Sequence, residues 1–158
     1  MPSSSLKRCF TYFSFFPKDF EMEKDKLIRH WMALDFLNDP EGTNSMEDKG
    51  ACYFNILLQN SLFQDVGMGW SKNITGCKMH DLVHDLALHV SKGSCLTIVG
   101  EEEDDVPLGI THLRLVGANT EKISKICNKS LRGLHTLYSQ GNFFVDMLKE
   151  LKQLRVLV

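Results

Sequence analysis

Two histidines four residues apart are the most reactive-looking pair in this sequence, His80 and His84 in the run HDLVH. At that spacing two imidazoles lie on one face of a helix, which is how the pattern HExxH holds zinc in metalloproteases. Here the second position is Asp81, one methylene shorter than the glutamate that activates water, and no third ligand stands out downstream. Both histidines border an apolar stripe, where structural histidines are common. We therefore expect no metal centre and no metalloenzyme.

The sequence also lacks the residues that usually bind nucleotides. No G-x-x-x-x-G-K-[ST] phosphate loop occurs in the 158 residues, and no acidic metal-binding strand occurs either. We expect no enzymatic activity and no cofactor bound by this chain alone.

Composition sets further limits. The formal net charge is −2, so no overall field draws the chain to nucleic acid or to an anionic membrane. No apolar run approaches the ~20 residues that span a bilayer, so we expect a soluble chain. The cysteines are odd in number and form no CxxC pair: Cys9, Cys52, Cys77, Cys95 and Cys127. This pattern favours a reduced, cytoplasmic protein.

The elements that would position His80 are helices and a hairpin. An aromatic segment over residues 6–16 is followed by predicted helices over residues 23–37 and 45–60 and from Asp81 to Gly93. The runs at 61–66 and 74–79, separated by a turn at Gly67-Met68-Gly69, predict a β-hairpin. The predicted apolar stripes are Leu27, Ile28, Trp31 and Leu34; Tyr53, Phe54, Leu57 and Leu58; and Met79, Leu82, Val83, Leu86, Ala87 and Val90. The pattern predicts an α+β fold, mostly α-helical, a winged helix with the hairpin as its wing.

A winged helix raises the alternative of DNA binding through its third helix. That helix, residues 45–60, is predicted to begin at a capping box, Ser45-Met-Glu-Asp48. It carries one cation, Lys49, and no arginine, and the wing offers only Lys72 and Lys78. Phosphate contacts need cations and base readout favours arginine, so we expect no nucleic-acid partner. A DNA-binding winged-helix protein remains the alternative function.

The sequence changes character after the acidic run at residues 101–105. Such a run repels itself, so we predict a first domain over 1–98, an acidic linker over 99–108 and a second domain over 109–158. Beyond it leucines recur with spacings of 21 and 20 residues, in three copies: Ile110-Leu113-Leu115, Leu131-Leu134-Leu137 and Leu151-Leu154-Leu157. That period predicts the start of a leucine-rich-repeat solenoid. Two amphipathic helices with coincidental leucines are the alternative.

Three segments together resemble a known family. The runs LKRCFTYFSFFPKDF at 6–20, KLIRHWMA at 26–33 and MHDLVHDLA at 79–87 are similar to motifs of plant nucleotide-binding leucine-rich-repeat disease resistance proteins. Their order and spacing agree over residues 6–90, and the leucine repeats follow where the family has them. The resemblance implies a winged-helix regulatory module of an intracellular plant immune receptor, of the coiled-coil class, with the first repeats attached.

The resemblance also implies a site. The family's "MHD" motif corresponds to Met79, His80 and Asp81, and its histidine is thought to contact the β-phosphate of ADP and to lock a resting state that ATP releases. From the residues, Asp81 is predicted as the N-cap of the fourth helix, holding the His80 backbone beside a helix N-terminus that favours anions. The residues alone favour plain capping, and the resemblance favours the phosphate contact. The sequence departs from the family in lacking its phosphate loop, so the resemblance implies that the nucleotide-binding core lies outside this sequence, which we interpret as a fragment or a truncated product. The implied partners are that core, the remaining repeats, and an effector or guarded host protein.

Overall fold

The computed structural model describes residues 4–38, 45–68, 74–91, 93–100, 107, 109–117, 131–140, 149 and 151–158. The chain divides into two compact units, Met1–Ser91 and Lys92–Val158. Both helices and strands occur, as the predicted α+β class requires. No helix among the described residues is long and apolar enough to cross a membrane.

The first unit consists of helices and one small antiparallel sheet. Its helices are α1 (Ser4–Tyr12), continued by a 3-10 turn (Phe13–Phe15), α2 (Lys24–Ala33), α3 (Met46–Gln59) and α4 (Asp81–Ser91). Its strands are β1 (Met22–Glu23), β2 (Gln64–Met68) and β3 (Ile74–Lys78). The strand β3 lies in the centre, with β1 and β2 on either side.

The predicted hairpin is present, but its turn was misplaced. Gly67 lies within β2, because Val66 pairs with Gly76 and Met68 pairs with Ile74 in one continuous register. Its φ of 79° is the left-handed region that glycine tolerates, and the Thr75 hydroxyl donates to its carbonyl at 3.2 Å. The strand β1 was not predicted, because its two residues are too few for a periodic pattern.

The first unit is held by an aromatic core, whose six largest fully buried side chains are Trp31, Tyr12, Phe13, Phe16, Phe54 and Phe63. The predicted stripe of α2 is confirmed, since its members are at most 6% exposed. The helix itself is shorter than predicted: it ends at Ala33, and Asp35 adopts a φ of 56°. On α3 the predicted cap is confirmed, because the Ser45 hydroxyl accepts from the Asp48 N–H at 3.1 Å.

The predicted stripe of α4 was wrong in part. Leu82 is 74% exposed and Leu86 is 51% exposed, whereas His84 and Ala87 are buried. The helix is therefore turned about its axis from the predicted orientation. Apolar residues occupy both faces of α4, so a stripe at helical spacing existed on the wrong face as well as on the right one.

The second unit is a parallel sheet over a leucine core. Its strands, in spatial order, are β4 (Cys95–Val99), β5 (His112–Val116), β6 (Thr136–Gln140) and β7 (Val156–Leu157), with a 3-10 turn at Leu131–Gly133. The buried cluster beneath it is Ile98, Ile110, Leu113, Leu115, Leu131, Leu134, Leu137 and Leu151. In the described residues the leucine copies thus fall on strands and turns and not on the helices of the alternative.

The division between the units differs from the predicted boundary at residue 98. The strand β4 pairs along its whole length with β5, from Cys95 opposite His112 to Val99 opposite Val116, so it belongs to the second unit. The Gly100 N–H extends that pairing by donating to the Val116 carbonyl at 2.9 Å. The acidic run at 101–105 lies outside the described residues.

Candidate functional site

The site predicted from the sequence lies where α4 begins. The His80 carbonyl accepts the first helical hydrogen bond, from the His84 N–H at 2.9 Å, and the His80 Nδ1 accepts from the Leu82 N–H at 3.3 Å. His80 therefore occupies the N-cap position and satisfies one of the helix's free N–H groups with its own ring. An Nδ1 that accepts carries no proton, so the proton of the neutral imidazole is on Nε2, and the exposed ring offers Nε2–H as a donor.

The prediction that Asp81 caps α4 was wrong. Asp81 is the first residue of the helix, one position after the cap, and it is exposed. A carboxylate there still favours the helix through its dipole, by about 0.3–1 kcal/mol, less than a capping hydrogen bond contributes. The sequence misled because aspartate is a preferred cap, whereas capping by an imidazole is uncommon.

Met79 anchors this corner of the fold. It lies between the end of β3 at Lys78 and the cap at His80, and it is 1% exposed. A buried side chain immediately before the cap fixes the direction in which the chain enters the helix. The three residues Met79, His80 and Asp81 thus have separate structural roles: anchor, cap and first helical turn.

A buried hydrogen bond joins α4 to the segment that follows α1. The His84 Nε2 donates to the Phe16 carbonyl at 2.8 Å, and His84 is 6% exposed. On the surface the Lys18 ammonium meets the Asp85 carboxylate at 2.8 Å. This role of His84 was not predicted from the sequence, where its place beside the apolar stripe was the available signal.

The zinc hypothesis for His80 and His84 receives no support from this geometry. One ring accepts from a backbone N–H at the surface, and the other donates to a carbonyl in the core. Among the described residues no group of three or more histidine, cysteine, aspartate or glutamate side chains could hold a metal ion.

An apolar surface surrounds the exposed side of α4. Leu82 and Leu86, one turn apart, are 74% and 51% exposed, and we refer to these two residues as the α4 leucine face. Leu88 is 47% exposed but lies on a different side of the helix, about 160° from Leu86. Large apolar side chains exposed together on one helix are typical of a surface that another protein segment covers. This face lies on the same helix as His80 and was not predicted.

The helix α3, which would read DNA in the alternative function, has few cations. Its one cation, Lys49, donates to the Asn38 carbonyl at 3.1 Å, and the first turn of α3 carries Glu47 and Asp48. The exposed part of this helix therefore presents carboxylates where phosphate contacts would need cations.

Comparison with known proteins identifies the class of the first unit. Residues 15–87 match the family described as "Disease resistance protein Winged helix domain", so this segment of the chain is a winged-helix domain of that family. The match confirms the predicted winged helix and the resemblance that Met79, His80 and Asp81 helped to establish.

Individual relatives are also described as disease resistance proteins. The chain is 48% identical to disease resistance protein RGA2 of Solanum bulbocastanum over 82 residues, which are 52% of this chain and 8% of that protein. It is 31% identical to disease resistance protein RPM1 of Arabidopsis thaliana over 157 residues, 96% of this chain and 17% of that protein. Disease resistance protein RFL1 of Arabidopsis thaliana is 29% identical over 156 residues, 91% of this chain and 17% of that protein. The chain thus spans less than a fifth of the length of these relatives.

Proposed function

We propose that this chain is the winged-helix switch module of a cytoplasmic plant immune receptor, together with the first leucine-rich repeats, and that it acts in defence signalling without being an enzyme. The observation that carries the proposal is the cap at His80. Its Nδ1 is engaged by the Leu82 N–H, which leaves Nε2–H on an exposed ring beside a helix N-terminus. A donor at a positive helix end is suited to contact a phosphate oxygen.

The phosphate in question is the β-phosphate of ADP, held by a nucleotide-binding core of the parent receptor. Contact with His80 stabilises the resting arrangement, and exchange of ADP for ATP weakens it, so the winged helix moves as a rigid body. The α4 leucine face supports this proposal, because it provides an apolar surface next to His80 that the core can cover. Lys18 and Asp85, together with the buried bond from His84, connect α4 firmly to the rest of the module, as a rigid-body movement requires.

The second unit is proposed as the beginning of the repeat solenoid. Ile110, Leu131 and Leu151 are 21 and 20 residues apart, and they and their neighbours point into one stacked core beneath parallel strands. Repeats of 20 to 29 residues with this construction form leucine-rich solenoids, whose later copies would contact an effector or guarded host protein.

A pair of substitutions separates the phosphate contact from the cap. Asparagine is a good N-cap, so His80→Asn keeps the helix start and removes the imidazole, whereas His80→Ala removes both, at a cost of about 0.5–2 kcal/mol. The host is a chimera of RGA2 in which the matching segment is replaced by that of this chain, after the unmodified chimera has been found to retain ADP on purification. Both variants are expected to lose bound ADP and to signal in leaf tissue without a pathogen.

The asparagine variant is the decisive one. If His80→Asn keeps its ADP and stays silent while His80→Ala does not, His80 serves only as a cap and the switch role is wrong. Leu82→Gln tests the leucine face in the same chimera, and we expect it to favour the signalling state without altering the cap.

A further inference from the structure

Within the described residues the strand β4 has a neighbouring strand on one side only. It lies at one end of the sheet in the second unit and pairs there with β5. At the two ends of β4, the Ser94 carbonyl accepts from the His112 N–H at 3.1 Å, and the Gly100 N–H donates to the Val116 carbonyl at 2.9 Å. Backbone groups point to alternate sides along a strand, so every second residue from Ser94 to Gly100 directs its N–H and C=O towards β5.

Thr97 and Val99 are out of step with that series, so their N–H and C=O groups point away from β5. No strand pairs with them on that side in the part of the chain that the structure describes. Solvent reaches both residues, because the Thr97 side chain is exposed and Val99 is 61% exposed. The outer edge of β4 therefore presents backbone donors and acceptors that another strand can bind.

The sequence of β4 contains none of the features that usually block an open strand edge. Such edges are templates for pairing with another chain, and proteins commonly protect them with charged residues, proline or a bulge. The strand reads CLTIV, without charge or proline, and its register with β5 is unbroken over all five residues. At the other end of the sheet β7 has only the two residues Val156–Leu157. The edge at β4 is thus the longer of the two.

This edge is complementary to itself. When two copies of β4 meet antiparallel about a two-fold axis at Ile98, Thr97 of each copy lies opposite Val99 of the other. Residues opposed in this way exchange both of their hydrogen bonds, so the outward groups of Thr97 and Val99 are satisfied in both copies. An axis perpendicular to the sheet also keeps both leucine cores on the same side, so that one sheet continues across the axis.

We infer that two copies of this chain associate through antiparallel pairing of β4 with β4. The occupant of the edge is a second copy because the two-fold arrangement uses the outward groups of Thr97 and Val99 together and requires no other sequence. A contact of a few residues buries little surface, so the dimer is weak and reversible. The inference rests on the register of the sheet and is independent of the nucleotide switch.

Sedimentation of the intact chain over a wide range of concentrations measures the association, and amide hydrogen exchange locates it. We expect an equilibrium between monomer and dimer. The amides of Thr97 and Val99 should exchange at least severalfold more slowly at high than at low protein concentration, because they gain acceptors in the dimer. The Ile98 amide is the internal control, since it already donates to β5 in the monomer and should show no such change.

Three variants complete the experiment. Thr97→Pro removes an outward N–H at an edge position, where proline is tolerated, and Val99→Lys places a charge on the edge. Each should weaken the dimer by about tenfold or more. Leu157→Lys is the matched control, since Leu157 is 51% exposed on the strand at the opposite end of the sheet, and it should leave the association unchanged.

Two results would overturn the assignment. A chain that stays monomeric at every concentration would leave the edge to an extended segment of another protein. Association that is lost in Leu157→Lys but kept in a folded Thr97→Pro variant would show that the copies pair through β7. Should Thr97→Pro unfold the second unit, Val99→Lys decides between the edges.

Discussion

Three histidines of the first unit use their rings in three different ways. His30 is 8% exposed and its Nδ1 lies 3.1 Å from the Tyr12 hydroxyl, whereas His84 donates from Nε2 to the Phe16 carbonyl. His80 is exposed and caps a helix through Nδ1. Of these three, His80 is the one that keeps a ring N–H at the surface, which is why it is the residue of the three that suits contact with a ligand.

His30 should make the first unit sensitive to acid. Burial, aided by Lys26 and Arg29, lowers the pKa of His30 from its ordinary 6.5 to about 4. Between those values His30 is protonated in the unfolded chain but not in the folded chain. The free energy of unfolding therefore has its full value above pH 6.5 and falls as the pH drops toward 4. Denaturant unfolding at pH 7, 6 and 5 should show this loss.

His30→Gln is the matched variant, since an amide can still bond to Tyr12 but does not titrate. The free energy of unfolding should fall more steeply with decreasing pH between 6.5 and 4 for the natural chain than for the variant. The difference between the two slopes should correspond to at most about one bound proton. Parallel slopes would mean that His30 is already charged in the fold.

At the residue scale the sequence located His80 and His84 but could not assign their partners. Spacing put both on one helix, and the acceptor at Phe16 is 68 residues away in the chain. Long-range partners of this kind depend on tertiary packing, which local patterns do not encode.

At the scale of elements, two of the contacts that attach α4 to the rest of the first unit differ in strength. The bond from His84 to Phe16 is buried, so removing its donor leaves a carbonyl unsatisfied in the core. The Lys18–Asp85 pair is 47% and 54% exposed, where water and salt weaken the attraction. The buried hydrogen bond should therefore contribute more to stability than the surface ion pair.

Two substitutions test this ranking. His84→Leu should cost about 1–3 kcal/mol because the Phe16 carbonyl loses its donor, whereas Asp85→Asn should cost clearly less, and less again in high salt. Urea unfolding midpoints of the two variants measure both. A larger loss for Asp85→Asn would show that the surface pair is the main attachment of α4.

Gly50 sets the close approach of α2 and α3. A Cβ at that position would lie 2.6 Å from the Ile28 Cγ2 and 3.1 Å from the Leu37 Cδ1. Gly50→Val should therefore destabilise the first unit by about 1–3 kcal/mol, despite the better helix propensity of valine, because the stiff Ile28 side chain has little room to move.

A second change should relieve the overlap. Ile28→Ala combined with Gly50→Val should cost clearly less than the sum of the two single losses in a double-mutant cycle. Gly133→Ala is the control, since a Cβ there meets nothing within 4 Å. Additive losses would mean that Gly50 is not limited by Ile28.

Element prediction succeeded where apolar residues occupy one face and failed where they occupy two. On α2 the stripe Leu27, Ile28, Trp31 and Leu34 was the only apolar face, and it is buried. On α4 Leu82 and Leu86 formed an equally regular stripe but are exposed. Periodicity measures the presence of a stripe, and the packing of α1 and the 3-10 turn against α4 decides which one is covered.

At the scale of the whole molecule, the units differ in how far their contacts reach along the chain. The first unit joins residues as distant as Phe16 and His84, whereas each strand of the second pairs with the next one in sequence. Because each strand pairs with the next in sequence, the spacing of the leucine repeats predicted the strands β5 to β7. The place of β4 in that sheet was not predicted. Cys95–Val99 precedes the first leucine copy, so no repeat pointed to it.

The whole chain is expected to bind ADP and ATP more weakly than millimolar, although we propose that the parent receptor binds them. The available contact is His80 with the start of α4, and a charge-assisted hydrogen bond contributes roughly 1.5–3 kcal/mol. A dissociation constant of 1 mM already requires about 4.1 kcal/mol, before the cost of immobilising the nucleotide. Calorimetric titration of the purified chain with ADP, with His80→Ala as the control, should therefore give no saturable heat below millimolar concentrations. Binding tighter than roughly 100 μM that persists in the variant would reveal a nucleotide site elsewhere in the chain.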